Sequence, residues 1–199
     1  MKKLNLFLKC IIDICISIIS IIVLSPLLLI ILILIKLSSP GPIFFRQQRL
    51  GKNGKIFEIL KFRTMIVGAD KIGDGIFVKS EEDTRITKIG KFLRATSLDE
   101  LPQIINVIKG DMSIVGPRPP LTYHPYIYAE YPYKQKRRFQ MKPGITGLAQ
   151  ITVRNSVSWD ERIEYDNQYI SDFNIWLDIK IILGTIKKVF IRESIYRNS

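Results

Sequence analysis

Histidine is nearly absent from this chain. His124 is the only one in 199 residues. That excludes a multi-histidine metal site and leaves one candidate for any histidine-dependent chemistry. Cysteine is scarce as well, and both copies, Cys10 and Cys15, lie in the hydrophobic N-terminus. They supply neither a disulfide framework nor a zinc cluster, so a reducing compartment and apolar filling are their simplest reading. Acidic residues are few: 18 Asp and Glu face 30 Lys and Arg, a formal net charge of +12. Such an excess attracts nucleic acid, an anionic bilayer or phosphorylated small molecules. The acidic residues Asp70, Asp74, Glu81, Glu82 and Asp83 fit no EF-hand spacing and read as a solvated loop.

What the chain does have is one long hydrophobic run, from Ile14 to Ile35, behind a basic start with Lys2, Lys3 and Lys9. At about 1.5 Å per residue such a run is long enough for a bilayer span. It is too long for the core of a cleaved signal peptide, and no small-residue cleavage site follows it. Pro26 removes a helical amide donor mid-run, so a kink is expected at Ser25-Pro26. Asp13 sits near the start of the run, where a carboxylate needs a partner or the interface. Lys36, Arg46, Arg49, Lys52, Lys55, Lys61 and Arg63 follow the run. Positive charge on both flanks pulls both ends toward the cytoplasm. A re-entrant hairpin satisfies that; a straight kinked span is the alternative. The region divides at residues 1–37 and 38–199.

Beyond Pro40 the pattern becomes globular. Phe44-Phe45 and Ile56-Phe57 flank Gly51 and Asn53-Gly54, which predicts a β-hairpin. Two helices are expected in the stretch from Ile86 to Gly110. Ile86, Ile89, Phe92 and Leu93 share a face of the first. Ser97 and Glu100 form a capping-box pattern for the second, whose apolar face continues through Leu101, Ile104, Ile105 and Ile108 until Gly110 ends it. That places Asp99 and Glu100 in a helical first turn, where the dipole favours negative charge. First-turn carboxylates are commonplace, so their neighbours have to carry any functional argument. Lys61, Arg63, Lys88, Lys91 and Arg94 cluster around the pair in sequence, and a stiff Gly/Pro segment presents Asp111, Arg118 and His124. An arginine between prolines suits rigid presentation of guanidinium to phosphate.

Tyr123, Tyr126, Tyr128, Tyr131 and Tyr133 precede the basic residues Lys134, Lys136, Arg137, Arg138 and Lys142. Aromatics with basic residues fit nucleic-acid stacking or the headgroup level of a membrane, and the hydrophobic run favours the membrane. Pro143-Gly144 reads as a tight turn, and Gly147 as a point of close backbone approach. The last third reads as helical, with Ser158 and Glu161 as a capping box. From Ile175 an amphipathic helix suits an interface or the globular core equally.

The motifs GPIFFRQQRLGKNGKIFEILKFRTM (41–65), TRITKIGKFLRATSLDELPQIINVIKGDMSIVGPRPP (84–120), KPGITGLAQI (142–151), YDNQYI (165–170) and LDIKII (177–182) run in order through nearly the whole chain. Together they resemble the bacterial sugar transferases, the small monotopic phosphoglycosyl transferases that start glycan assembly on undecaprenyl phosphate. The chain resembles their minimal form. The resemblance implies an α/β fold, mostly α, with a re-entrant membrane hairpin helix broken at Ser25-Pro26, a small cytoplasmic catalytic domain and amphipathic interfacial helices.

It also implies a reaction at the bacterial inner membrane. A UDP-sugar donates sugar-1-phosphate to undecaprenyl phosphate and releases UMP through a covalent phosphosugar enzyme. Asp99 matches the nucleophile and Glu100 its dyad partner; Glu100 either positions or deprotonates the acceptor phosphate, or organises the dyad. Mg2+ is implied around Asp99 and the donor diphosphate. Lys61, Arg63, Arg94 and Arg118 are candidates to neutralise phosphate oxygens, and Arg154 with Asn155 to meet the nucleotide. An interfacial homodimer is compatible, and no nucleic acid is implied. Two positions depart from the family pattern: Leu148 replaces a common tryptophan and Val153 a typical glycine. A non-catalytic, membrane-anchored basic protein binding nucleic acid or anionic lipid is the rival reading, and it gives no reason for the carboxylate pair.

Overall fold

The computed structural model describes residues 2–72, 82–153 and 157–191. Helix α1, Lys2–Ser38, leads into strands β1, Phe44–Leu50, and β2, Ile56–Phe62. Helices α2, Lys88–Ala95, and α3, Gln103–Ile108, follow, then strand β3, Ser113–Val115. The short helix α4, Tyr133–Lys136, strand β4, Gly144–Thr146, and helices α5, Leu148–Thr152, α6, Trp159–Asp172, and α7, Ile175–Ile191, complete the order. Two small two-stranded sheets, β1-β2 antiparallel and β3-β4 parallel, sit among helices. The described residues therefore form a mostly helical α/β fold.

Helix α1 is long and apolar enough to cross a membrane, by length and composition. Helical structure continues through Pro26, and the Ser25 hydroxyl donates to the Ile22 carbonyl at 2.8 Å. One face of α1 is buried at Lys9, Asp13, Ser17, Ile31 and Ile35. Ile31 and Ile35 pack with Phe62 and Leu93. The polar contacts lie at the other end. Lys9 Nζ reaches Asp178 of α7 at 2.7 Å, and Asp13 accepts from the Ser113 hydroxyl at 2.6 Å and the Ile114 amide at 3.2 Å. Asp13 thus has the partners that burial demands. At the C-terminal end Arg63 donates to the carbonyls of Ser39 and Pro40, both at 2.7 Å, and satisfies groups just beyond the helix.

The hairpin forms as its sequence predicts. Phe44 pairs with Phe62 and Leu50 with Ile56, and the turn puts Asn53 at φ 55° and Gly54 at φ 76°. Left-handed backbone is why Asn-Gly stands there. The tail also follows its signals. Ser158 caps α6 and Glu161 closes a full capping box.

Three expectations are corrected. Ser97 is not a helix cap: it is left-handed, at φ 56°, with no side-chain cap bond. Its carboxylate-bearing successors form a 3-10 turn, Leu98–Glu100, and α3 begins only after Pro102. Proline tolerates only a helix's first turn, which sets that start. Thr87 is the cap actually used, for α2, accepting from the Gly90 amide at 3.0 Å. Pro143-Gly144 is not a turn, because Gly144 opens β4 beside β3. A Cβ on Gly144 would collide with the Gly116 amide, and one on Gly147 with the Gly116 carbonyl. The close approach is backbone on backbone. The tyrosine run is in part core rather than a headgroup belt: Tyr131 packs edge-on to Phe139 with Leu50 and Ile163, while Tyr133 stays in solvent.

Candidate functional site

The site is assembled where β2, the 3-10 turn and the proline-rich segment after β3 converge. Strand pairing puts Arg49, opposite Phe57, and Lys61, opposite Phe45, on one face of the hairpin, because residues two apart share a face. The other face carries the exposed Arg46–Glu58 pair at 3.8 Å in its middle and buries Leu50 and Phe62 toward its ends. Asn106 of α3 then fixes the carboxylate turn beside β2. Its side-chain oxygen accepts from the Leu60 amide at 3.0 Å and its nitrogen donates to the Glu58 carbonyl at 2.7 Å. One amide side chain thus stands in for a neighbouring strand.

With the turn fixed there, Lys61 Nζ meets Glu100 Oε1 at 2.6 Å. Arg118 approaches the same oxygen at 3.5 Å from the opposite wall. Arg49 donates to the Pro119 carbonyl at 3.1 Å and to Gln47 at 2.6 Å. Arg49, Lys61, Glu100, Gln103, Arg118 and Pro119 line a small open cleft. Asp99 is partly buried beside it and holds no hydrogen bond or ion pair among the described residues.

The two carboxyls are pushed in opposite directions. Burial pushes Asp99 up to about 6; the Glu100 charge adds to that, and Lys61, Arg94 and Arg118 oppose it. Burial also works against the Glu100 carboxylate, but Lys61 and Arg118 outweigh it and hold the group well below the usual carboxylate range. Arg49 is lowered to about 10, by burial first and by Arg118 second. One carboxylate is clamped and permanently charged; its neighbour is unclamped and titrates near neutrality.

Of the residues expected here, Asp99, Glu100, Lys61 and Arg118 come together. Arg94 lies close enough to act on Asp99 by its charge, and its Nε donates to the Thr64 hydroxyl at 2.9 Å. Arg63 does not join the group; its guanidinium is committed to the end of α1. Arg154 and Asn155 lie outside the described residues. Leu148 packs into the core of Val115, Tyr169 and Ile181, away from the dyad's partners. Arg49 and Gln103 are additions to the expected set. The parity of the hairpin could have found Arg49, since it shares a face with Lys61.

Comparison with known proteins now has a geometry to attach to. The family model described as "Bacterial sugar transferase" matches residues 4–192. The chain belongs to the bacterial sugar transferase family. Among curated relatives, the UDP-glucose:undecaprenyl-phosphate glucose-1-phosphate transferase of Klebsiella pneumoniae is 44% identical over 201 residues, covering 98% of this chain and 43% of that protein. The galactosyl transferase CpsE of Streptococcus agalactiae is 52% identical over 161 residues, 76% of this chain and 35% of its own length. The uncharacterized sugar transferase EpsL of Bacillus subtilis is 42% identical over 175 residues, 88% of this chain and 83% of that one. The chain thus spans less than half the length of the first two relatives.

Among the described residues no three His, Cys, Asp or Glu side chains gather as a metal-ligand cluster. Mg2+ takes as few as one or two protein carboxylates and completes its shell with water and substrate phosphate. Asp99, unpaired beside the cleft, is the carboxylate in a position to serve.

Proposed function

We propose that this bacterial sugar transferase moves sugar-1-phosphate from a UDP-sugar to undecaprenyl phosphate and releases UMP, by way of a covalent phosphosugar on Asp99. The observation that carries the reading is the unequal dyad. Glu100 is locked to Lys61 and Arg118, whereas Asp99 keeps its oxygens free. A carboxylate nucleophile needs that freedom and needs a pKa at or below working pH.

In the first half-reaction an Asp99 oxygen attacks the sugar-bearing phosphorus. The bond from that phosphorus to the bridging oxygen breaks, and the electron pair leaves with UMP. In the second, an undecaprenyl phosphate oxygen attacks the same phosphorus, and the Asp99 carboxylate departs as the leaving group. Lys61, Arg118 and Arg49 face the developing phosphate charge across the cleft, and Arg94 adds positive charge from α2. Glu100 organises this cationic wall; held ionised, it is a poor proton donor. Mg2+, when bound through Asp99 and the donor diphosphate, would screen the repulsion between carboxylate and phosphate. The relatives' names cite different sugars, so the donor is specified here as a UDP-sugar.

The acceptor is a lipid, and α1 supplies the setting. Lys9, Asp13, Ile31 and Ile35 all dock on the globular residues, while Ile18, Ile19, Ile22, Val23, Leu29 and Ile30 between them stay exposed. A straight helix of 37 residues would measure about 55 Å. Docking near both ends with an apolar middle supports a helix that enters the bilayer, bends at Ser25-Pro26 and returns, with both termini and the catalytic residues 38–199 on the cytoplasmic side. The exposed apolar side chains Trp176, Ile179, Leu183 and Ile186 of α7 support a second interfacial contact.

Incubation with a panel of UDP-sugars, polyprenyl phosphate and Mg2+ tests the proposal. Continuous UMP release should require all components, whereas donor and Mg2+ without acceptor should give at most about one equivalent of UMP and, by intact mass, a phosphosugar adduct that is absent from Asp99→Asn. An adduct in Asp99→Asn would refute the assignment.

A further inference from the structure

Arg138 is the largest fully buried side chain in the described residues, and the mechanism above does not use it. It stands in a 3-10 turn, Arg137–Gln140, and pairs with Asp166 of α6 at 2.7 Å, the two side chains being 1% and 2% exposed. The same NH2 donates to the backbone carbonyl of Arg118, also at 2.7 Å. A cation this deeply buried is costly unless it is paired and hydrogen-bonded, and Asp166 and the Arg118 carbonyl are the partners it has.

The segment it touches is unusual. Pro117, Pro119 and Pro120 have no N–H, so Arg118 carries the segment's single amide. That amide lies near enough to the Asp166 carboxylate to favour its charge. Each of the four carbonyls receives a donor from elsewhere. Pro117 accepts from the Gly144 amide at 2.9 Å, Arg118 from Arg138, Pro119 from Arg49 and Pro120 from the Leu50 amide at 3.0 Å. Pro117, Pro119 and Pro120 are buried, so packing and these hydrogen bonds hold the segment together. Arg138, paired with Asp166, holds the Arg118 carbonyl, and the Asp166 charge faces the Arg118 amide.

We infer that Arg138 and Asp166 are positioning residues for the transfer reaction, holding the Arg118 backbone where its guanidinium reaches Glu100. The pair acts through Arg118 and touches no substrate. Its effect on activity rests on the proposed function; its grip on the segment does not.

Two measurements on the full chain in nanodiscs test this. The first is hydrogen exchange at the Arg118 amide in Arg138→Lys and Asp166→Asn. A lysine reaches one of the two acceptors that arginine bridges. Exchange should accelerate at least about tenfold in both variants while α7 amides stay as in wild type. The second is a double-mutant cycle on UMP release. Each variant should lower kcat/KM by about ten- to a hundredfold when Arg118 is present, the loss of one charge-assisted hydrogen bond. In an Arg118→Ala background the further loss should be under about threefold. Unchanged exchange at Arg118, or losses that multiply fully with Arg118→Ala, would overturn the inference. Should Asp166→Asn not fold, Arg138→Lys decides alone by both readouts. If wild type releases no UMP from any UDP-sugar, the proposed reaction fails, and the exchange measurement still judges the grip.

Discussion

At the scale of single residues the proposed chemistry turns on two adjacent carboxyls with different surroundings. In that proposal Asp99, raised to about 6, attacks phosphorus only when ionised. The donor-dependent kcat/KM should therefore fall on the acid side with a midpoint near 6, measured from pH 5 to 8 in free enzyme. The same shift bears on stability. A carboxyl raised in the folded state favours folding when protonated; that advantage is present below its unfolded value and lost as pH rises to about 6. Asp99→Asn removes an ionisable group that is unfavourable at neutral pH. Its melting temperature should exceed wild type at pH 7.5, with the difference shrinking near pH 4, while turnover and adduct disappear. Glu100 has the opposite sign. Its folded value is depressed, so its stabilisation is present above the ordinary glutamate range and lost as pH falls below it. Glu100→Gln should lower the melting temperature at pH 7.5, which Asp99→Asn does not.

At the scale of elements, short pieces are held by side chains that imitate backbone. Asn106 links α3 to β2 through two hydrogen bonds. Asn106→Ala leaves the Leu60 amide and Glu58 carbonyl without these partners, and should cost about 2 kcal/mol in denaturant unfolding. Because the carboxylate turn rides on α3, kcat should drop with it. The capping box of α6 and the Asn-Gly hairpin were legible because their signals are local: the partners lie within a few residues. The start of α3 was not, although Pro102 is in plain view. The spacing of Ser97 and Glu100 imitates a capping box, yet Ser97 is left-handed and its hydroxyl caps nothing. The chain reverses there to bring Asp99 and Glu100 against β2.

At the scale of the whole molecule, α1 is joined to the globular residues at both ends. Lys9 is the buried cation between Asp13, at 3.8 Å, and Asp178, at 2.7 Å, and Tyr169 donates to the same Asp178 carboxylate at 2.7 Å. Lys9→Met strands buried carboxylates and should destabilise the protein by about 3 kcal/mol or more, whereas adding Asp178→Asn should recover part of the loss. A thermal-melt cycle of the two variants measures that coupling. Topology has its own reporter. Cys10 is exposed and lies one residue from Lys9. In sealed, oriented vesicles a membrane-impermeant maleimide should label it only from the cytoplasmic side; labelling from the opposite side would sink the re-entrant reading.

The sequence by itself determined the family, the long apolar helix, the hairpin and the capping of α6, and it singled out Asp99 and Glu100 as candidates. These rest on composition, short-range spacing and an ordered set of motifs, none of which needs distant contacts. Only the tertiary structure decided which basic residues serve the dyad. Lys61, Arg63, Arg94 and Arg118 are equal candidates in a list of charges. Packing turns Lys61 and Arg118 onto Glu100, places Arg94 beside Thr64, and spends Arg63 on the end of α1. It also brings in Arg49 and, behind the site, Arg138. A guanidinium's role depends on which carbonyls and carboxylates its neighbours leave unpaired, and those neighbours are remote in sequence.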